Sequence, residues 1–549
     1  MTTQSPTVED ELVRRKRQEQ LALPESLGQF VREQAALYGG KTAAVWFERG
    51  VSMTYAELDR AASQLADALV RRGVRKGCHV ALMLKNAPEF PVTWIALGRI
   101  GAVMVPVNTA YTRDEMRFVL DDADVQYLVI DEEYVPRLEG FDALPGLLAW
   151  ERVIVSGAYG ARADLLQWQT LLASGRADFA APAHVSRDDL LNLQYTSGTT
   201  GFPKGCMLSH DYWMIHCHGA ARHRRGADAG IENVLIWAPF FYMDPLWQFL
   251  MTLKLGGTAY IAERMSLTRF MSWLIDYRIH YCIFPEPALS QHPRGPGDAA
   301  VCLKYISIYG WTRPAREEVQ ARFGVIAREG FGMTEVGTGA LVPAWAGEKA
   351  LERTCGLPAP FRELQIRRED GSPAQVDEVG ELWIRGRGIL WGYYKRPEAN
   401  AESFDGDWFR TGDLFRRDAD GFYYIVGRIK EMIKRAGENV SATEVETVLR
   451  SMDAIDEAAV VPVPDPLRRE EVKAYLKLRE GFTRAEVTPA AVFEHCARHL
   501  AAFKVPRYLQ YMEGDFPRTP SRKIAKKRLI AETADPFVNT YDRQEARWR

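Results

Sequence analysis

An α/β fold with a smaller α+β domain at its end is predicted by three observations. Helical and strand-like patterns alternate from 53 to 130, the same rhythm returns from 230 to 330, and a compact helix–strand stretch follows Gly427-Arg428-Ile429-Lys430. In the first region Tyr55 to Leu69 has helical spacing, His79 to Leu84 reads as a buried strand, Phe90 to Gly101 is helical and Val103 to Val107 strand-like. In the second, Val234 to Trp237 and Tyr305 to Ile308 are strands. This alternation is what a parallel sheet covered by helices produces. Between about 340 and 426 short strands with Gly turns dominate, which predicts a small β subdomain. The main boundary falls at 427–430, giving a large domain over 1–428 and a small one over 429–549.

The chain's 549 residues suffice for two or more large cores. Its 47% apolar and 26% charged content is ordinary for a globular protein, and a net charge of −2 gives no sign of nucleic-acid binding. No apolar run reaches the length of a membrane span, and Met1 to Gln20 lacks the apolar centre of a signal peptide. The Arg14-Arg15-Lys16-Arg17 cluster reads as a solvated helix face. Seven scattered cysteines form no CxxC pair, so reduced thiols and the cytoplasm are expected.

Residues 195–205, Tyr-Thr-Ser-Gly-Thr-Thr-Gly-Phe-Pro-Lys-Gly, carry the clearest chemistry. Gly198, Gly201 and Gly205 let several backbone N–H groups converge on one anion, the hydroxyls of Thr196, Ser197, Thr199 and Thr200 add donors, and Lys204 adds a mobile charge. The loop suits a polyphosphate without matching the Walker pattern. A second segment, Glu329-Gly330-Phe331-Gly332-Met333-Thr334-Glu335, offers an aromatic face for a planar base, a hydroxyl for a phosphate and a carboxylate for Mg²⁺. In Trp408 to Asp413 the terminal acid suits the hydroxyls of a ribose, and Arg428 follows fifteen residues later. Pro517 to Ile524 carries Lys523 on a Pro-bounded loop of the small domain. The His-Cys-His run at 216–218 invites a metal, but alternate helix positions diverge, so no centre is expected there.

Taken together, these motifs resemble, over roughly residues 27 to 530, the superfamily of AMP-forming adenylating enzymes that includes the acyl-CoA synthetases. The resemblance implies stacked α/β subdomains with a small β subdomain, hinged to a mobile C-terminal domain. It implies an ATP- and Mg²⁺-dependent acid–CoA ligase that forms an acyl-adenylate and transfers the acyl group to coenzyme A. Residues 195–205 would hold the leaving pyrophosphate, Phe331 and Gly332 would meet adenine, Thr334 would contact the α-phosphate, and Glu335 would bind Mg²⁺. Asp413 and Arg428 would grip the ribose, and Lys523 would stabilise charge in the adenylation step. Lys430 falls at the hinge, and Lys434 with Gly437 would serve the CoA half-reaction. Gly392-Tyr393 resembles an architectural motif. By family position Tyr242, Asp244, Trp247, Glu286, Tyr309 and Trp311 would line the acyl pocket.

The chain departs from the family at several positions. Arg522 precedes the lysine where glycine is usual, and Arg469 also replaces a common glycine. Tyr242 stands in place of a histidine, and Ser307 to Trp311 replaces a small-residue wall. Arg469 and Asp244 resemble the crotonobetaine/carnitine-CoA ligases. Aromatic faces with one or two acids suit a carnitine-like or betaine-like cation; the competing account is a short or flat pocket for a small or aryl acid. The functional alternatives are an adenylating enzyme loading a carrier protein in trans and a nucleotide-binding protein whose turnover Arg522 impairs. The expected partner is a small-molecule carboxylic acid; no nucleic acid and no membrane span are expected, and a homodimer is left open.

Overall fold

The computed structural model describes residues 6–141, 143–162, 164–196, 203–225, 230–435, 438–519, 523–533 and 535–549. By packing, the chain divides into one unit of Met1–Leu364 with Ile384–Phe409 and a second of Gln365–Trp383 with Arg410–Arg549. Packing therefore assigns the strand pair ending at Arg428 to the second unit, ahead of the boundary that composition suggests.

The first unit is built on two seven-stranded sheets. One runs in the order Leu166–Gln167, Val153–Ser156, Tyr127–Asp131, His79–Met83, Val103–Pro106, Leu190–Thr196 and Lys204–Ser209. It is parallel until the last pair, which is antiparallel. The other carries Ile326–Arg328, Tyr305–Ser307, Tyr281–Ile283, Asn233–Ile236, Thr258–Ile261 and Thr42–Trp46 in parallel, closed by an antiparallel hairpin to Val51–Thr54. Strands such as Val103–Pro106 are buried along their whole length, which is why they read as continuous apolar runs. Each fully buried Val or Leu contributes about 1.5–3 kcal/mol.

Local chemistry sets the helices. In Tyr55–Arg71, Thr54 and Glu57 form a reciprocal capping box, worth about 1 kcal/mol, and Leu58, Ala61, Ala62, Leu65 and Leu69 form the buried stripe. Between the sheets, polar anchors fix the segment 238–242. Asn86 Nδ2 donates to the carbonyls of Ala238 and Ala262 at 2.9 Å each, and Asn86 Oδ1 accepts from Phe240 N–H at 2.9 Å. Gln194 Nε2 donates to the Phe241 carbonyl at 2.8 Å. Because these groups are buried, each lost bond would leave a costly orphan.

In the second unit a sheet runs Glu438–Ser441, Met432–Arg435, Arg469–Leu478, Tyr508–Tyr511, Tyr541–Asp542, Arg547–Trp548, with Ile455–Asp465 paired to Arg469–Leu478. Helices Ala442–Arg450 and Pro489–His499 cover it through Val445, Leu449, Val492 and Cys496. No helix among the described residues is long and apolar enough to cross a membrane.

Arg469 has φ +70°, so a residue with a side chain holds a left-handed conformation that glycine accommodates best. Arg469→Gly is expected to raise stability by about 1 kcal/mol, read as a higher urea midpoint at unchanged m-value.

Candidate active site

The phosphate-loop sequence joins two antiparallel strands, with Thr196 opposite Lys204 in the ladder. Ser197, Gly198, Thr199 and Thr200 lie outside the described residues. The chain returns as the strand Lys204–Ser209 before entering helix His210–Arg225. Tyr195 is committed to that hairpin. Its hydroxyl donates to Asp122 Oδ2 at 2.7 Å, and its ring lies over Gly205, where a Cβ would come within 3.1 Å.

A segment far along the chain completes this side. Residues 391–394 lie beside Lys204–Ser209: Met207 N–H donates to the Gly392 carbonyl, Trp391 N–H to the Met207 carbonyl and Tyr394 N–H to the Gly205 carbonyl, at 2.9–3.0 Å. Asn400 clamps Tyr393 from behind, accepting its N–H at 2.7 Å and donating to its carbonyl at 3.0 Å. Tyr393 consequently presents its ring to Lys204, whose Nζ lies 4.8 Å from the centroid, and its hydroxyl to Glu335 Oε1 at 2.9 Å. Burial, reinforced by the Glu335 charge, pushes the Tyr393 phenol far above its usual range, so it stays a donor.

Phe331, Gly332, Thr334 and Glu335 lie on the hairpin Gly330–Met333/Gly337–Leu341. The Phe331 ring sits against Gly339, and at Gly332 a Cβ would meet the Gly337 carbonyl at 2.7 Å, so only glycine fits. Three residues hold the turn, of which the sequence reading weighed only His216, and that for a metal. Tyr212 donates to the Thr334 carbonyl at 3.0 Å, His216 Nε2 bonds Thr338 Oγ1 at 3.0 Å, and Arg362 donates to the Val336 carbonyl at 2.7 Å through its Nη2. Helix periodicity through 210–225 would have signalled the first two only as core. Glu335 is buried, and no cluster of three or more His, Cys, Asp or Glu fit for a metal occurs among the described residues. A single hard carboxylate fits Mg²⁺ that takes its other ligands from substrate phosphates and water. His216 and His218 bond separately, the latter to the Met214 carbonyl.

The second unit brings Asp413 and Arg428 together. They are opposite residues of the ladder Trp408–Arg417/Tyr423–Arg428, with Arg428 Nε 3.0 Å from the buried Asp413 Oδ1. Lys523 is exposed on a loop closed by Thr519, whose N–H donates to the Lys523 carbonyl (2.8 Å) and whose Oγ1 accepts Lys523 N–H (3.1 Å). Arg522 and Gly437 lie outside the described residues. Just beyond, Lys526 Nζ bridges Glu431 (2.9 Å) and Glu446 (2.7 Å). Glu431 ends the turn Ile429–Glu431 that contains Lys430, so the lysine loop and that turn are tied within one unit. Lys434 is exposed on its strand opposite Asn439.

Among the six acyl-pocket candidates the structure separates two groups. Tyr242 precedes helix Met243–Leu255, Asp244 Oδ1 accepts from Trp247 Nε1 at 2.9 Å, and the Trp247 ring stacks on His216 at 5.5 Å. Tyr309 keeps 48% of its surface accessible, yet desolvation raises its phenol well above the usual range, with Asp244 and Tyr281 adding to the effect and Arg224 opposing it. Trp311, by contrast, is a correction to the sequence reading. Its indole is 2% exposed, packs edge-on to Phe284 and belongs to the core with Phe270 and Leu274, so no face remains for a ligand. Glu286 accepts from Thr312 Oγ1 at 3.1 Å ahead of helix Arg313–Phe323.

A model of the AMP-binding enzyme family matches residues 31–394, and one of the AMP-binding enzyme C-terminal domain matches 444–523. The chain belongs to the AMP-binding enzyme family. A crotonobetaine/carnitine–CoA ligase of Citrobacter koseri is 31% identical over 517 residues, 92% of this chain and 99% of its own length. ATP-bound MatB from Rhodopseudomonas palustris superposes with a TM-score of 0.79 at 25% identity, covering 92% of this chain and 99% of that one. The anthranilate CoA ligase AuaEII shares the fold, with a TM-score of 0.82 at 23% identity over 94% of this chain and 98% of its own.

Burial holds three histidines around the site neutral. His216 falls to about 3, through desolvation and then the Arg362 and Arg224 charges, while His210 and His218 fall to about 4, chiefly through desolvation. An unfolded histidine takes up its proton near pH 6.5. Between these values the unfolded chain binds more protons, so stability falls as pH drops from about 6.5 towards 4. Urea midpoints at pH 7 and 5 should show this loss, and His216→Gln should flatten the slope.

Proposed function

We infer that this protein is an AMP-forming acid–CoA ligase. The observation that carries the reading is the buried Glu335 carboxylate, held by Tyr393 beside the Lys204 ammonium at the foot of the Thr196–Lys204 hairpin. In the first half-reaction a carboxylate oxygen attacks the α-phosphorus of ATP. The new O–P bond forms as the bond to the bridging oxygen breaks, and pyrophosphate leaves. Such a step needs positioning and charge neutralisation more than covalent help. Lys204 faces the departing pyrophosphate, Phe331 stacks on adenine with Gly332 allowing close approach, and Thr334 contacts the α-phosphate. Asp413 accepts from the ribose hydroxyls while Arg428 orients it. Mg²⁺, carried by Glu335, neutralises phosphate charge when bound. Lys523 supplies a positive charge to the oxygens that become negative during attack. In the second half-reaction the CoA sulfur attacks the acyl carbon and AMP leaves; rotation of the small domain about Lys430 would bring Lys434 and Gly437 to the thiol.

Tyr242, Asp244, Trp247 and Tyr309 form the acyl side, which supports a small or aryl acid. A carnitine-like acid is the second reading, favoured by Asp244 and by the activity named for the Citrobacter koseri relative. Cys78, Cys206, Cys217, Cys282, Cys302 and Cys496 form no disulfide, which supports a reducing compartment such as the cytoplasm.

Pyrophosphate release that requires both ATP and a carboxylic acid, followed by acyl-CoA formation with free CoA, tests the reaction; its absence with every acid would reject it. Lys523→Ala should slow pyrophosphate release by about 10²–10³-fold, and an unchanged rate would remove that lysine from the mechanism. Tyr393→Phe, a change at a positioning residue, should raise the Mg²⁺ concentration for half-maximal rate about fivefold with little change in the saturated rate.

A further inference from the structure

Arg224, near the end of helix His210–Arg225, is a buried charge that the proposed reaction does not use. Its side chain lies between that helix, helix Met243–Leu255 and the strands Tyr281–Ile283 and Tyr305–Ser307. It is 4% exposed. The guanidinium carbon lies 4.5 Å from the Tyr281 ring centroid, 5.0 Å from that of Trp247 and 5.6 Å from that of Tyr305. Nη1 donates to the Ala220 carbonyl (3.0 Å), and Nη2 donates to Tyr281 Oη (2.7 Å) and Ser307 Oγ (2.9 Å). Nε is enclosed and has no hydrogen-bond partner among the described residues, and none of their carboxylates forms an ion pair with Arg224. A guanidinium offers five donors and keeps its charge, so a buried one without an anion is incomplete.

The position of this charge relative to the acyl side gives it a role. Tyr305 and Ser307 share one face of their strand, and Tyr309 follows two residues past its end. Arg224 contacts the first two, and Tyr309, an acyl-side candidate, is accessible. Trp247 links the same two places: Arg224 covers its ring while Asp244 holds its Nε1–H. Trp247, an aromatic of the cage that a quaternary ammonium would need, is therefore already covered by the protein's own cation. Asp244 is exposed and holds the Trp247 indole, and Glu329 is paired with Arg316, which leaves Arg224 as the enclosed charge beside Trp247.

We propose that Arg224 is a specificity-determining residue at the inner end of the acyl pocket, and that the acid this ligase activates carries a second carboxylate opposite its reacting one. This rests on the ligase reading and deepens it. The second carboxylate completes the donors of Arg224 and supplies the missing anion.

The test uses the full chain with ATP, Mg²⁺ and acids matched in length: succinate, glutarate and phthalate against butyrate, valerate and benzoate, with γ-butyrobetaine as the cationic probe. Pyrophosphate release should favour the diacids in kcat/KM by on the order of ten- to a hundredfold. Arg224→Gln should erase that preference mainly through KM, and Arg224→Lys should restore part of it. Preference for the neutral or trimethylammonium acids, or an unchanged ratio in Arg224→Gln, overturns the proposal. Calorimetric binding of the same acids to the wild-type chain with AMP keeps the test open where Arg224→Gln fails to fold. It also separates the two readings: diacid binding without pyrophosphate release from any acid counts against the ligase reading alone, and no diacid preference in binding counts against Arg224.

Discussion

The hydrogen bond from Tyr393 to Glu335 is the constraint on which the proposed nucleotide side depends. A buried carboxylate is tolerated only when donors replace water, and Tyr393 can reach it only because 391–394 lies along Lys204–Ser209. That same strand puts the Tyr393 ring under Lys204. One phenol therefore sets both the acid that suits a metal and the cation that suits pyrophosphate, and it does so from a part of the sequence with no catalytic signature.

Helix His210–Arg225 plays a parallel part on the opposite side of the Glu335 hairpin. Tyr212 and His216 hold the turn that carries Thr334 and Glu335, while two turns further on Arg224 sits against the acyl-side residue Trp247. Residues proposed for the nucleotide side and for the acyl side thus share one helix. His216 is in both groups, bonded to Thr338 and stacked on Trp247. Its burial keeps it neutral, which avoids a third positive charge beside those of Arg362 and Arg224.

Much of this was legible in advance where the signal was local. The strands His79–Met83 and Val103–Pro106 and the helix Tyr55–Arg71 follow from periodicity and capping, and they appear where those predict. The fifteen-residue spacing of Asp413 and Arg428 proved to be a two-strand register that sets them opposite each other. Trp311 misled because family position tells which wall a residue stands on, whereas the side chain's direction depends on where the packing around Phe284 has room. Arg224 carried no signal, since a buried and an exposed arginine look alike in a helical pattern.

By itself the sequence determined the α/β architecture and the inventory of groups suited to adenylate chemistry, because both depend on short-range periods and on residue types at fixed spacing. Only the tertiary structure decided that Tyr393 serves Glu335, that Tyr195 serves Asp122 and that the aromatic faces around Trp247 already hold a guanidinium. Those are contacts between residues far apart in the chain, created by burial and by the competition of polar groups for partners once water is excluded.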